Sequence, residues 1–437
     1  MEAFDIKNIN IYLNNSKLLN EKIKIQKLQI RKEVNEHNSL YTDFLFRKED
    51  NGKYKAFNKS ENLEIRITAS EESGMEKILF EGYAVNSSMT LDKHLLMMQI
   101  RGISFSKKYD IKKNNRVYQD YEIMYSKVVN DLKTGDIENK DLNILINGED
   151  KQIDRFLIQY RETDWEFMKR LAYYKDTFIL CEKKSVIFNK SSVKEFEEIS
   201  DYTIHSFGRN NRNEIEYKID SYSMYSIGDI VKLSNNDEEG KMLVVKADIL
   251  LEKQRLKGKY VLVRSDKYKA KYTGKNTIQG SALEGEVQEI LMSDNRGMET
   301  ASVKVKFYKN LESKYDSGNI KAPEQGETLY PFSYIIPYSK DKTGLFITPE
   351  IGDNVLIKFI NEDPENGIVA GALNNENSSR FSKPDYRNFF VKDSMDLIID
   401  GATINMNSGS EITKISKTIE LKGSDTVRVY SNNMKVK

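Results

Sequence analysis

The residues able to do chemistry are few. There is one cysteine, Cys181, at the end of the apolar run Phe178-Ile179-Leu180-Cys181. A thiolate nucleophile needs a base beside it, whereas an apolar run points to a buried, inert thiol. A single cysteine also excludes an internal disulfide. The three histidines, His37, His94 and His205, are far apart in sequence, and none sits in a nucleophile-like motif. Metal sites need clustered His, Cys or carboxylate ligands, and the histidines do not cluster. The acidic pairs Glu362/Asp363 and Glu197/Glu198 have the right type for acid–base work, but turns and solvated surfaces account for them better. Gly274-Lys275-Asn276-Thr277 lacks the preceding glycine and the Ser or Thr directly after lysine that a phosphate loop requires. The expectation is no catalytic residue, no cofactor and no metal.

The elements around these residues read mainly as strands. Lys22-Ile23-Lys24-Ile25, Leu63-Glu64-Ile65-Arg66-Ile67 and the run from Ile78 to Val85 alternate apolar with polar residues, with turn chemistry at Asp50-Asn51-Gly52-Lys53. This is the pattern of strands with one wet face. The middle turns helical. Tyr125, Val128, Val129 and Leu132 fall on one helical face, with Gly135 placed to end it. Thr163-Asp164-Trp165-Glu166 is a capping box that opens a second helix, with Trp165, Met168 and Leu171 on its apolar face. Strand patterns return from about 205 to 275. From about 284 to 373, five or so short strands suit a small closed barrel of the oligonucleotide/oligosaccharide-binding (OB) type.

Composition limits the partners. Length 437 implies two to four domains. The 68 basic and 67 acidic residues leave a net charge of +1, against a nucleic-acid or anionic-membrane binder. The barrel stretch lacks the basic excess with interleaved aromatics of a single-strand binder. No apolar run approaches a membrane span. Met1-Glu2-Ala3-Phe4-Asp5 does not read as a signal peptide, so synthesis and assembly in the cytoplasm are expected.

The C-terminal fifty residues carry apolar pairs spaced by two: Leu397/Ile399, Ile404/Met406, Ile419/Leu421, Val427/Val429 and Met434/Val436. Successive pairs step by seven or eight residues, with Ile412 dividing the one long step. A helical heptad would space its apolar residues by three and four, so the unit here is a short strand and turn. One chain supplies only a thin apolar face, and stacked copies would close it. An intertwined oligomeric β-structure is expected.

Three segments resemble the VgrG family of type VI secretion spikes and the related hub-and-spike proteins of contractile phage tails. Gln159-Tyr160-Arg161-Glu162-Thr163-Asp164-Trp165-Glu166-Phe167-Met168-Lys169-Arg170-Leu171 is similar to that family's Q-Y-x-E-[ST]-D-x-x-F-x-x-R-L segment. Pro349 to Phe359, with Gly352-Asp353, then Asp363-Pro364 and Gly371 to Asn374, is similar to the spike barrel's P-x-x-G-D-x-V-x-V-x-F…D-P…G-x-x-x-N run. Ser106 through Arg116-Val117-Tyr118-Gln119-Asp120 resembles the hub's R-x-F-Q-[DN] segment, with Tyr118 in place of Phe. In that family these motifs are structural: Gln159, Tyr160, Glu162, Asp164, Phe167 and Arg170 in the hub, Gly352, Asp353, Asp363 and Pro364 at turns of the barrel.

The resemblance implies five segments: a first hub barrel (1–110), a helix-containing hub segment (111–204), a second hub barrel (205–278), an OB-fold collar (279–375) and a linker with a β-helical needle (376–437). It implies a homotrimer whose six hub barrels match a sixfold tail tube, with tube and baseplate proteins as partners, transient contact with a target envelope, and no nucleic acid. The needle is short and has no terminal histidine-containing tip, which implies a separate tip protein. Tyr308 to Tyr330 reads as a loop insertion in the barrel. The reading from a different class is a β-rich binding module or adhesin, monomeric or hexameric, without an injection role, and the trimer-forming repeat separates the two; an enzyme with an unrecognised polysaccharide site is the third.

Overall fold

The computed structural model describes residues 5, 8–18, 23–47, 62–70, 75–92, 95–134, 142–188, 198–210, 214–234, 241–265, 268, 272, 278–291, 301–307, 328–337, 339–340, 343–344, 347–373, 386–391, 395–400, 403–408, 423, 426, 428 and 430. The chain divides into two compact units, Met1–Ala372 and Leu373–Lys437.

The first unit opens with β1 (Ile9–Leu13), β2 (Ser16–Leu18), β3 (Ile23–Glu33), β4 (Ser39–Arg47), β5 (Glu64–Ser70), β6 (Glu76–Asp92) and β7 (Leu95–Ser104). Alternation decides which face each strand buries. In β3, Ile23, Ile25, Leu28 and Ile30 are buried while Lys24 is exposed, and a bulge between Ile25 and Lys27 resets the period. A 3-10 turn (Phe105–Asp110) then leads into β8 (Lys113–Tyr118), α1 (Tyr125–Thr134), β9 (Asn143–Ile146), β10 (Leu157–Thr163), α2 (Asp164–Tyr174), β11 (Ile179–Glu182) and β12 (Ser185–Phe188). The expected face of α1, Tyr125, Val128, Val129 and Leu132, is buried. Strands β13 (Thr203–Arg209), β14 (Ile215–Ser221), β15 (Ile230–Val231), β16 (Met242–Glu252) and β17 (Arg255–Arg264) follow.

The strands before and after the helical segment share one twelve-stranded sheet, in the order β13-β14-β17-β16-β3-β4-β7-β6-β5-β1-β2, with β15 on β16. The joint is the antiparallel pairing of β3 with β16, from Glu33 opposite Lys246 to Gln29 opposite Leu250. Arg31–Asp248 at 3.0 Å and Lys246–Glu33 at 2.9 Å add ion pairs across it. The sheet carries separate apolar cores on its two halves. One gathers Ile9, Ile11, Phe44, Phe46, Ile65 and Ile67. The other gathers Tyr217, Ile219, Leu233, Met242, Val244 and Leu262. The mainly β architecture with a helical insert is thus present, with the β-rich halves before and after the insert built on one sheet.

Further on, β18 (Ala282–Leu291), β19 (Ser302–Phe307), β20 (Pro331–Tyr334), β23 (Asn354–Phe359) and β24 (Gly367–Ala372) close a barrel in the order β18-β19-β20-β24-β23, as expected for an OB fold. Two short strands, β21 (Ser339–Lys340) and β22 (Thr343–Gly344), pair beside it. Closure comes from the parallel pairing of β20 with β24. Residues 308–327 of the expected insertion lie outside the described residues.

The second unit holds an antiparallel sheet of β25 (Tyr386–Val391), β26 (Met395–Asp400) and β27 (Thr403–Ser408). The first two apolar pairs meet in register, Leu397 opposite Met406 and Ile399 opposite Ile404. Met406 is 59% exposed in the single chain. The other expected needle positions, Ile419, Leu421, Val427, Val429, Met434 and Val436, lie outside the described residues.

Candidate functional site

The first motif folds into a buried polar network on a two-stranded ribbon. Strands β8 and β10 pair antiparallel, with Leu157 opposite Tyr118, Ile158 opposite Val117 and Gln159 opposite Arg116. A bulge between Gln159 and Glu162 places Arg161 at φ 49°, where its N–H donates to Asn115 Oδ1 at 2.8 Å. The bulge turns the chain into α2, and the capping box forms as read. Thr163 Oγ1 accepts from the Glu166 N–H at 3.1 Å, and Glu166 Oε2 accepts from the Thr163 N–H at 2.9 Å.

Two buried ion pairs flank that turn. Asp164 Oδ1 accepts from Arg116 Nη1, from Asn114 Nδ2 at 2.9 Å and from Gln159 Nε2 at 2.8 Å. Gln159 Oε1 in turn accepts from Arg116 at 2.6 Å. Arg170, 1% exposed, donates to both oxygens of Glu162, at 3.2 and 2.6 Å, and to the Ile158 carbonyl at 2.7 Å. Its guanidinium also lies 4.9 Å from the Phe167 ring centre. Burial alone would lower the Arg170 pKa, but the Glu162 carboxylate outweighs it and holds the proton more tightly than usual. Each charge taken out of water is therefore compensated.

The ribbon is buried on both faces. Leu157 and Tyr118 enter the core of the helical segment. Val117, Phe156 and Ile158 enter the core of the closed barrel, with half-buried Tyr160 packed against it. Phe156 stacks on Tyr330 and Phe307 at 5.2 and 6.1 Å and meets Phe332 edge-on at 5.6 Å. Gln119 Nε2 donates to the Val305 carbonyl at 2.9 Å.

The second motif supplies the opposite side of this contact. Gly352 lies at φ +88°, which the turn into β23 requires. Asp353 Oδ2 accepts from the Glu350 N–H at 2.8 Å, and the turn is tied to β18 by Gly352 N–H to Val287 O at 2.8 Å. Asp363 caps a 3-10 turn by accepting from the Glu365 N–H at 3.0 Å, with Pro364 buried at its start. That turn presents Glu365, whose Oε1 accepts from the Phe156 N–H at 3.1 Å. The two motifs, about two hundred residues apart, thus meet at one joint. Phe156, Ile158 and Glu365 were not singled out from sequence, whereas Val117 and Gln119 fall in the Arg116–Asp120 segment read there. The available signal was the consecutive apolar trio Phe156-Leu157-Ile158, a strand buried on both sides rather than one.

The structure also gathers chemistry that sequence distance hid. Ser106 Oγ lies 2.8 Å from His37 Nδ1, 3.1 Å from Cys181 Sγ and 2.7 Å from Ser104 Oγ. His37 Nε2 is 3.4 Å from Asp110 Oδ2. Burial pushes the Cys181 thiol up to about 11, so it stays protonated at neutral pH. The other histidine among the described residues, His205, pairs with Asp220 at 2.7 Å, remote in sequence from this cluster. Among the described residues no group of three metal-ligating side chains assembles. An open groove of about 710 Å³ lies along the sheet, floored by Val34, Val245, Val261 and Val263, with acidic and basic side chains on its walls. No helix of the described residues is long and apolar enough to cross a membrane.

A family model for the type VI secretion system/phage-baseplate injector OB domain matches residues 321–373, the C-terminal part of the closed barrel. Among solved structures, a chain of the Francisella PdpA–VgrG complex aligns over 92% of this chain and 88% of its own length, with a TM-score of 0.56 and 10% identity. The E. coli c3393 protein is a type VI secretion component with structural similarity to the T4 tail proteins gp27 and gp5. It aligns over 83% of this chain and 99% of its own length, with a TM-score of 0.54 and 11% identity. No curated protein matches in sequence. The chain therefore has a VgrG-like hub-and-spike fold whose closed barrel matches the injector OB-domain model over residues 321–373, which bears out the resemblance read from the motifs.

Proposed function

We propose that this chain is a structural hub-and-spike subunit of a contractile injection system, working as a homotrimer that joins a tail tube to a membrane-piercing needle. The five segments read from sequence are proposed as its functional parts, with tube and baseplate proteins and a separate tip protein as partners. The needle is proposed to close from its apolar pairs when three copies combine. Work delivered along the axis must pass from the hub into the barrel without a hinge. The observation that carries the reading is the β8–β10 ribbon, which belongs to the packing of both bodies at once. Rigidity of this kind comes from apolar burial and hydrogen bonding, and needs no cofactor.

Sheet edges support assembly from several copies. Strand β13 ends the twelve-stranded sheet and is exposed along its whole length, with Phe207 at 73%. The second half of β6 runs past the end of β5, so among the described residues it has a strand on one side only. In a chain with 31% charged residues, the Asp, Glu, Lys and Arg of these two edges are confined to their last positions, Arg209 in β13 and Asp92 in β6. Monomeric proteins blunt such edges with charge. Two different unblunted edges on one chain suit a head-to-tail ring of copies.

Light scattering of the full chain, and of a version cut after Asn375, tests this. A trimer that loosens on truncation places the driving contact in the needle. A trimer that survives truncation places it in the hub. A monomer of the full chain at micromolar concentration favours the binding-module reading.

A further inference from the structure

We propose that His37 is an acid-sensitive pin between the β3–β4 turn and helix α2, and that its protonation is relayed through Asp110 to the hub–barrel joint.

The geometry places the imidazole between two bodies. Its ring stacks on Trp165 of α2 at 4.0 Å and 29°. Its Nδ1 meets Ser106 on the 3-10 turn, and its Nε2 faces Asp110 there. The side chain is only 10% exposed. The charged groups around it are Glu36 on its own turn, paired with Lys169 of α2 at 3.7 Å, and Lys107 and Asp110 on the 3-10 turn. From β11 it is approached by Cys181, through Ser106.

Asp110 is shared. Its Oδ1 accepts from Thr163 Oγ1 at 2.8 Å, and its Oδ2 from Lys107 at 2.6 Å, beside His37. Thr163 is the N-cap of α2, next to Glu162 and Asp164, the anions of the joint. A charged His37 draws Asp110 toward Nε2 and away from Thr163. The cap, and the bulge it anchors, loosen together. Burial lowers the His37 pKa below the ordinary 6.5, with Lys107 acting the same way and Asp110 and Glu36 opposing. The folded state then binds fewer protons than the unfolded chain below pH 6.5, so stability falls as pH falls through that window.

The relay does not depend on the proposed assembly, and it is read on the full chain. Trp165 is the only tryptophan, so indole emission reports directly on the stacked imidazole. The expected result is a reversible loss of emission on acidification, with its midpoint below 6.5. The step is lost in His37→Gln and kept in His205→Gln and His94→Gln. Exchange of the Phe156 amide, held by Glu365, accelerates over the same pH range in the wild type and not in His37→Gln. A step that persists in His37→Gln, or that vanishes in either of the other two variants, overturns the assignment. If His37→Gln fails to fold, the wild-type titration and the other two variants still decide it. Phe156 exchange that ignores the step overturns the relay to the joint.

Discussion

At the scale of single residues, the joint rests on charges that cannot be removed one at a time. Arg170→Met leaves the Glu162 carboxylate buried with, among the described residues, only Tyr272 OH at 3.3 Å of its former side-chain partners. The expected loss is about 3–5 kcal/mol, measured by urea unfolding. The double change Arg170→Met with Glu162→Leu should recover much of this, because a buried pair replaced by apolar groups is often near neutral. Recovery stays incomplete because the Ile158 carbonyl loses its donor. If the double variant is as unstable as the single one, the loss came from packing rather than from an uncompensated charge.

At the scale of elements, turns and caps aim the joint. Thr163→Ala removes the N-cap acceptor of α2 and should cost about 1 kcal/mol, with an added loss because Asp110 also loses its Thr163 donor. Two barrel glycines are informative for opposite reasons. At Gly352 a Cβ has open space but φ is +88°, so Gly352→Ala should cost roughly 1–2 kcal/mol of backbone strain. At Gly285 a Cβ would lie 2.5 Å from Val305 Cγ1 and 2.8 Å from the Lys306 carbonyl. There Ala should spread β18 from β19, visible as faster amide exchange along that pair. Phe156→Ala removes the ring shared between ribbon and barrel and should cost about 3–5 kcal/mol. The accompanying sign is loss of protease protection at the hub–barrel joint; unchanged protection would mean that the barrel is held elsewhere.

At the scale of the whole molecule, the two sparsely charged edges should decide association. Phe207→Lys on β13 and Thr90→Lys on β6 each put a charge where a neighbouring strand would pair. Both positions have room in the single chain, since Phe207 is 73% exposed and Thr90 is exposed. Monomer stability by thermal melting should therefore change little, while the mass in light scattering falls. A full-size assembly from both variants would remove the edges from the proposal and leave the needle as its driver.

Some of this was determined by the sequence alone. Strand alternation, the helical face of α1, the capping box at Thr163 and the turn at Gly352-Asp353 are set by neighbours within a few residues. Backbone geometry there depends on local sterics and hydrogen bonds. The motif residues Gln159, Glu162, Asp164 and Arg170 were legible because they recur as a pattern, but their partner Arg116 lay in a separate segment. What only the tertiary structure decided is contact between distant segments. The pairing of β3 with β16 merges the two β-rich halves into one sheet. The reach of Glu365 to Phe156 spans 209 positions, and Ser106 brings His37 and Cys181 together from 69 and 75 positions away. Such contacts depend on how sheets curve and pack in three dimensions, and residue type and short-range spacing do not encode which partner is met.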